Sequence, residues 1–198
     1  MKNAGQIEKY LEVLAGKLAD QGDGQQYHIL ISGGAWMLLQ RERRVTHDID
    51  FALIEYPGRL KPGKVVRVVV QRGGEIATRK GGTVFSDAVE AVAADMGLPV
   101  DWLNDESAAY LYDSAPDADA YLWRVFADVL FVYLPTDEYM LALKIAAYRR
   151  KDRVDCLVLL HRLGITTREE TQDILDTFLS EQEQRIWDVD QKLKRLFR

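Results

Sequence analysis

The sequence predicts an α+β fold, in which a mixed β-sheet flanked by helices is followed by a C-terminal helical region. Residues 4–20 place apolar side chains at helical spacing, and residues 48–53 alternate acidic and apolar side chains at the period of a strand. From Thr136, a candidate N-cap followed by two acidic residues, the helical pattern continues to the end of the sequence. We therefore expect an α/β core over residues 1–135 and, packed on it, a helical region over residues 136–198.

Composition and charge exclude several classes of protein. Hydrophobic residues make up 47% and charged residues 29% of the 198 residues, as in ordinary globular proteins. No apolar run approaches the length of about eighteen residues that a membrane span needs, and the charged N-terminal stretch is unlike a signal peptide. Cys156, the single cysteine, excludes an internal disulfide and fits a reducing cytoplasm. The net charge of −5 argues against a general nucleic-acid binder, though not against a local basic patch.

The segment ILISGGAWMLLQ joins a short apolar strand to a predicted helix through a glycine pair. Gly33 and Gly34 follow Ser32 directly, and glycine permits both positive φ and close approach of the backbone. Free backbone N–H groups at the start of the helix, predicted from Ala35 to Gln40, attract anions. This turn is therefore a candidate phosphate-binding site.

The next strand carries two acidic side chains on one face. Asp48 and Asp50 point one way, whereas Ile49, Phe51 and Leu53 point the other. Two carboxylates two residues apart form a hard-oxygen site that suits Mg²⁺. The alternative is a half-buried strand whose polar face happens to hold two acids, but such a pair repels unless a cation or a base lies between them.

The glycine pair followed by the two aspartates resembles the motif of the nucleotidyltransferase superfamily that includes DNA polymerase β. That motif is an apolar strand, Gly-Gly or Gly-Ser, a helix, and then Asp-x-Asp or Asp-x-Glu. With Arg44 and Thr46 preceding Asp48, the segment is more narrowly similar to AbiEii-type and related bacterial nucleotidyltransferases. The resemblance implies a nucleotidyltransferase-like sheet with the aspartates as metal ligands.

A third carboxylate lies on a later strand in that superfamily, and two residues here have the apolar neighbours it requires. Asp101 follows a predicted helix that Ser86 would cap, in a stretch that resembles the same bacterial family. Asp128 lies between Ala127 and Val129. The resemblance favours Asp101, but the sequence leaves the choice open.

A second group of polar residues lies in the segment YMLALKIAAYRRKDRVDCLVLL. On one continuous helix, Lys144, Tyr148, Lys151 and Asp155 share one stripe, whereas a new helix starting at Asp152 would change that geometry. Lys144 is either a lysine whose charged end reaches solvent near a surface aspartate or a residue that binds a ligand. AbiEii-type proteins carry a similar lysine and a later aspartate, which implies a phosphate-binding role for Lys144 and a site-ordering role for Asp155.

The segment from residue 59 to 80 is basic in an otherwise acidic protein. Its valines over 65–70 favour a strand, and Gly73-Gly74 favours a turn into a second strand over 75–79. Its basic side chains suit either a triphosphate or RNA surface, or a solvated hairpin edge that discourages pairing with other chains. They are Arg59, Lys61, Lys64, Arg67, Arg72, Arg79 and Lys80.

The resemblance implies a Mg²⁺-dependent (or Mn²⁺-dependent) enzyme that moves a nucleoside monophosphate from an NTP such as ATP to a hydroxyl. The acceptor stays open among RNA or tRNA, a protein and a small molecule. The resemblance also suggests the toxin of a toxin–antitoxin pair, with an antitoxin protein as partner. The competing interpretation is a non-catalytic nucleotide-binding or antitoxin-like module on the same fold. The residues implied are Asp48, Asp50, Lys144 and Asp155 for catalysis, Ser32, Gly33, Gly34, Arg44, Thr46 and Lys144 for the nucleotide, and Asp48, Asp50 and Asp101 for the metal.

Overall fold

The computed structural model describes residues 3–21, 24–40, 45–58, 63–71 and 83–198. Within these ranges the chain forms six strands and nine helices. The strands are β1 (Tyr27–Ile31), β2 (Ile49–Leu53), β3 (Val65–Val69), β4 (Leu103–Asn104), β5 (Asp117–Phe126) and β6 (Leu130–Pro135). The helices are α1 (Ala4–Asp20), α2 (Gly33–Leu39), α3 (Val84–Met96), α4 (Glu106–Ser114), α5 (Asp137–Ala147), α6 (Asp152–Leu163), α7 (Arg168–Phe178), α8 (Glu181–Ile186) and α9 (Val189–Leu196).

The six strands form one mixed sheet in the order β3-β5-β6-β1-β2-β4. β1 runs parallel to β6 and antiparallel to β2, and β2 runs parallel to the short β4. β5 is antiparallel to both β3 and β6. The expected α+β architecture, a mixed sheet flanked by helices, is therefore confirmed.

Helices α1 and α3 pack together on one face of the sheet. The ring of Phe85 in α3 lies 5.2 Å from that of Tyr27 in β1 and 5.6 Å from that of Phe51 in β2. A salt bridge of 2.6 Å between Lys17 and Asp95 joins the two helices at their exposed edge. Burial of these aromatic rings fixes β1 and β2 against the helical layer, because close-packed aromatic side chains dominate core energetics.

Two element boundaries differ from the sequence-based expectation. Helix α2 begins at Gly33, not at Ala35, so the glycine pair forms its first turn. Helix α3 is capped by Thr83 and not by Ser86, which instead occupies the third helical position, where its hydroxyl oxygen accepts a hydrogen bond from the backbone N–H of Thr83. This reciprocal pair is a capping box, which tolerates serine in place of the usual glutamate at its second position.

The chain from Thr136 to Arg198, which the structure describes throughout, is helical between short connections. Helix α5 contacts α6, α7 and α9. The continuous helix through Lys144 and Asp155 does not form, because Tyr148 ends α5 in the left-handed region with φ of 41° and Asp152 begins α6. No helix in the described residues is long and apolar enough to cross a bilayer.

The basic segment is described only between residues 63 and 71. Its valines form β3 as expected, and β3 pairs with β5, so that Arg67 lies opposite Asp119. The Arg67 guanidinium lies 2.7 Å from the Asp119 carboxylate and 5.6 Å from the centre of the Phe178 ring. Arg67 therefore links the sheet to α7. The expected return strand over 75–79 and the basic residues Arg59, Lys61, Arg72, Arg79 and Lys80 lie outside the described residues.

Candidate functional site

A cavity of about 410 Å³ opens where the first turn of α2, the start of β2 and helices α4 and α5 meet. Strand pairing produces this meeting point. Ser32 follows the end of β1, and its backbone N–H donates to the backbone carbonyl of Asp50 at 2.9 Å. Asn104 lies beside Asp50 in the β4 register, and α4 starts two residues later. The residues that line the cavity are Ser32, Gly33, Asp50, Glu106, Ser107, Tyr110, Leu111, Met140, Leu143, Lys144, Ala147, Arg149 and Trp187.

Gly33 is required by the close approach of Asp50. Its φ is +62°, a region that favours glycine, and a Cβ placed on it would lie 1.9 Å from Oδ2 of Asp50. No side chain fits between the helix backbone and this carboxylate. The sequence predicted that a glycine here would leave the backbone accessible. The structure adds that the neighbouring group is the second aspartate of the Asp-x-Asp pair.

Asp50 carries a negative charge that its surroundings only partly offset. Burial raises the pKa of Asp50 above its ordinary value, and the charge of Asp48 raises it further. The positive charges of Lys151, Arg149 and Lys144 act in the opposite direction without cancelling the effect. The Asp50 carboxylate makes no hydrogen bond or ion pair with the described residues. A half-buried carboxylate that lacks such a partner and is repelled by a second one has the donor chemistry of a divalent-cation ligand.

Lys144 is buried and lies between two buried carboxylates. Its side-chain nitrogen donates to Oδ1 of Asp152 at 3.0 Å and lies 2.9 Å from Oδ2 of Asp155. Burial alone would raise the pKa of Asp152, but the charge of Lys144 and hydrogen bonds from Arg149 and Lys144 outweigh it and lower the pKa. Lys144 therefore binds Asp155, the later aspartate of the family-like pattern, and also Asp152, which the sequence indicated only as a possible helix start.

Arg149 is a cavity residue that the sequence analysis missed. Its backbone N–H and its side-chain Nε both donate to Oδ2 of Asp152 at 2.9 Å. The hydrogen bond to Asp152 raises the pKa of Arg149, so the guanidinium keeps its charge. Its side chain is 61% exposed, which leaves the remaining guanidinium N–H groups accessible from solvent. Its position depends on the break between α5 and α6, for which the sequence contains only one indication, the possible helix start at Asp152.

The α4 wall of the cavity was also missed. Ser107 and Tyr110 lie one helical turn apart on α4, and the Tyr110 ring meets the edge of Trp187 with ring centres 4.9 Å apart. Burial, with a smaller contribution from Glu183, raises the pKa of Tyr110 to about 12. No sequence signal marks these residues, because α4 carries no motif and Trp187 reaches the cavity only through the packing of the C-terminal helices.

Asp48 lines a different cavity from Asp50. This second space, of about 490 Å³, is bordered by Asp48, His47 and Asp101 together with Tyr10 and the turn that follows α3. His47 borders the same cavity as Asp48. The hydroxyl of Thr46 donates to the backbone carbonyl of Asp48 at 3.1 Å, so Thr46 stabilises the approach to β2 and lines neither space.

Of the two alternatives for a third carboxylate, Asp128 lies at the opposite end of the sheet. It occupies the β5–β6 turn, where its backbone carbonyl accepts a hydrogen bond from Gln26, the residue before β1. Asp50 lies beside Ser32, the residue after β1. Asp101, the other alternative, borders the same cavity as Asp48. Among the described residues, no group of three or more His, Cys, Asp or Glu side chains is placed to hold a metal ion. Arg44 lies outside the described residues.

Comparisons with known proteins add nothing to this geometry, since no family model, curated protein or solved structure matches the chain. The chemistry of the cavity therefore rests on its own residues. It combines a glycine turn, an incompletely neutralised carboxylate, two basic side chains and an apolar wall.

Proposed function

We propose that this protein is a metal-dependent nucleotidyltransferase that moves a nucleoside monophosphate from an NTP to a hydroxyl acceptor. The observation that carries the proposal is the convergence of Gly33, Asp50 and Lys144, from three separate parts of the chain, on one cavity. The AbiEii-like pattern in the sequence consists of these same elements. The volume of about 410 Å³ lies within the range of small-molecule sites.

The cavity offers positive groups for the phosphates of an NTP. A lysine ammonium has three N–H donors, and Lys144 uses two of them on Asp152 and Asp155. The third is available to a phosphate oxygen, while the two carboxylates hold the side chain in place. Arg149 offers further donors in the planar arrangement that suits phosphate. With the first turn of α2 opposite, these groups would orient the α-phosphate for attack by the acceptor hydroxyl.

Asp48 and Asp50 are the residues that would hold Mg²⁺ or Mn²⁺, and Asp101, which borders the Asp48 cavity, is the further carboxylate. Bound there, a divalent cation would offset phosphate charge and lower the pKa of the acceptor hydroxyl. The chain's own contribution is positioning and electrostatic stabilisation, and no covalent intermediate is required. Cys156 is not a competing nucleophile, because burial raises its pKa to about 12 and keeps the thiol neutral.

The direct test is incubation of the protein with each α-labelled NTP, Mg²⁺ and total cellular RNA. We expect label to become attached to RNA, as the toxin-like resemblance implies, and to fall by at least about a hundredfold in Asp48→Ala/Asp50→Ala. The matched control is Asp128→Ala, which removes an aspartate at the far end of the sheet and should leave transfer unchanged. Full activity in the double variant would contradict the proposal, whereas label on protein would keep the reaction and change the acceptor.

A second candidate function is a non-catalytic nucleotide-binding module, in which an antitoxin-like or other partner reads the bound state. It is favoured by the separation of Asp48 and Asp50 into two cavities, and by the lack, among the described residues, of three His, Cys, Asp or Glu side chains grouped to hold a metal ion. Calorimetry would distinguish the two functions. Metal-dependent NTP binding without transfer to RNA, protein or small molecules would support the module, and transfer would reject it.

A further inference from the structure

Helix α4 presents two buried hydroxyl groups whose hydrogen-bonding capacity is unused. Neither Oγ of Ser107 nor the hydroxyl oxygen of Tyr110 has a hydrogen-bond partner in the part of the chain that the structure describes. Both residues line the cavity that holds Asp50 and Lys144. The only other buried side-chain atom of this kind within the described ranges is the hydroxyl of Tyr148, which is not part of the cavity lining.

Unpartnered buried hydroxyls are uncommon because each has lost its hydrogen bonds to water without replacing them. Two of them, one helical turn apart on the same wall, form a pair that a bound molecule can satisfy. Rotation of the serine side chain about its first torsion angle gives its hydroxyl a choice of directions. The raised pKa of Tyr110 keeps its proton in place at neutral pH, so each hydroxyl can donate and accept a hydrogen bond.

The space next to these hydroxyls suits a flat ring. Its apolar lining comes from Leu111, Met140, Leu143 and Ala147, and the rings of Tyr110 and Trp187 stand edge to face beside it. Apolar walls with a few polar groups are typical of sites for aromatic ligands. Lys144 and Arg149 add positive charge to the lining, and Asp50 and Glu106 add negative charge, so one cavity combines a charged region with an apolar region that carries hydroxyls.

We infer that Ser107 and Tyr110 bind the edge of the nucleobase of the NTP and determine which base is accepted. The inference rests on the proposed function, because it assigns Lys144 and Arg149 to the phosphates and the α4 wall to the base. A purine or pyrimidine presents ring nitrogens and exocyclic groups that pair with hydroxyls. A site built to hydrogen-bond such groups discriminates strongly against a base that cannot supply them.

The test compares Ser107→Ala and Tyr110→Phe with the unsubstituted protein, and uses Tyr148→Phe as the matched control. Binding of ATP, GTP, CTP, UTP and inorganic tripolyphosphate is measured by calorimetry with Mg²⁺, and the melting temperature is measured with and without each compound. Tyr148→Phe removes the third unpartnered hydroxyl, which lies outside the cavity lining, so it controls for removal of a buried hydroxyl as such.

We expect each α4 variant to weaken binding of the preferred NTP by about 2- to 12-fold and to flatten the preference among the four bases. Tripolyphosphate affinity should not change, because that probe has no base. The melting temperature without ligand should stay the same or rise, since no hydrogen bond of the free protein is lost. A purely structural role would instead lower it. The control should leave all these values unchanged.

Three results would overturn the inference. The first is an unaltered base preference in both α4 variants, and the second is an equal loss of affinity in Tyr148→Phe. Either of these, with NTP binding intact in the unsubstituted protein, leaves the proposed nucleotidyltransferase standing. The third is failure of the unsubstituted protein to bind both NTPs and tripolyphosphate, which would reject the proposed function together with the inference.

Discussion

The carboxylate of Asp50 rests against the backbone of Gly33, so the two residues constrain each other. The glycine has φ of +62°, and the position of its missing Cβ is 1.9 Å from Oδ2 of Asp50. Asp50 in turn is kept in a half-buried position beside the first turn of α2, with its pKa raised by burial and by Asp48. A side chain at position 33 would therefore destabilise the fold in two ways. The left-handed backbone would be strained, and the added Cβ would collide with the Asp50 carboxylate.

These two effects can be separated by a double-mutant cycle. Gly33→Ala should lower the free energy of unfolding by about 2–4 kcal/mol, since it adds a core-like steric conflict to left-handed backbone strain. In an Asp50→Ala background the two severe contacts are removed, and the strain of about 1–2 kcal/mol should remain with only a tight contact of 3.2 Å to the Cβ at position 50. Urea denaturation of the four proteins gives the coupling energy, which we expect to exceed about 1 kcal/mol.

Gly97→Ala provides the control for this cycle. Gly97 also has a positive φ, of +61°, but a Cβ on it would meet nothing within 4 Å. Its substitution should show the strain alone and no coupling to Asp50. Additive effects of Gly33→Ala and Asp50→Ala would contradict the packing of the carboxylate on the turn.

At the scale of elements, the junction between α5 and α6 organises the basic side of the cavity. Helix α5 ends at Tyr148 with a left-handed backbone, and the backbone N–H of Arg149 then donates to the side chain of Asp152. This break points both Asp152 and Asp155 back at Lys144. The lysine is 4% exposed, and each of the two aspartates is at most 2% exposed, so the three charges depend on each other.

Lys144→Met should therefore destabilise the fold by about 3–5 kcal/mol at neutral pH, because two buried carboxylates lose their shared cation. Lys144 lowers the pKa of Asp152 in the folded state, so this stabilisation is present above the ordinary aspartate pKa and is lost as the pH falls through the folded-state pKa. The difference between variant and parent should accordingly shrink in acid. Urea denaturation between neutral pH and about pH 3 measures it.

The matched control is Lys192→Met, which removes a half-buried lysine that also contacts α5, through the backbone carbonyl of Ala146. No carboxylate is left unpaired by this change, so the free energy of unfolding should fall by only about 1 kcal/mol. The description of the junction as a buried charge network would be contradicted if Lys144→Met lowered the free energy of unfolding by less than about 1 kcal/mol. A decrease that does not depend on pH would contradict it as well.

At the scale of the whole molecule, the C-terminal end of β1 and the N-terminal ends of β2 and β4 lie together at one end of the sheet. The C-terminal helices cover this end. The sequence predicted α1, β1, the glycine turn and the strand that carries Asp50, because each of these depends on local periodicity or on glycine geometry. Strand β2 begins at Ile49, however, so Asp48 precedes it. It also predicted that Lys144 belongs to the site. The cavity containing both Lys144 and Asp50 agrees with that expectation.

The remaining features depend on contacts between residues distant in sequence. The helix break at Tyr148 is set by hydrogen bonds to Asp152, and a helical pattern alone does not reveal it. Asp128 has the apolar neighbours expected of a third metal-binding carboxylate. The strand order nevertheless places it at the end of the sheet opposite to Asp50. Trp187 and the α4 hydroxyls meet only after the C-terminal helices pack, so no local pattern marks them.

The central claim is that this cavity catalyses attack on the α-phosphate of an NTP. The most direct measurement is a pair of reactions with the same NTP, labelled at the α- or at the γ-phosphate, with Mg²⁺ and a heat-treated cell extract as the source of acceptors. Nucleotidyl transfer predicts that α-label joins a larger product while γ-label is recovered in pyrophosphate, and that both signals disappear in Asp48→Ala/Asp50→Ala. Transfer of γ-label to an acceptor, or its release as inorganic phosphate without any α-labelled product, would contradict the claim.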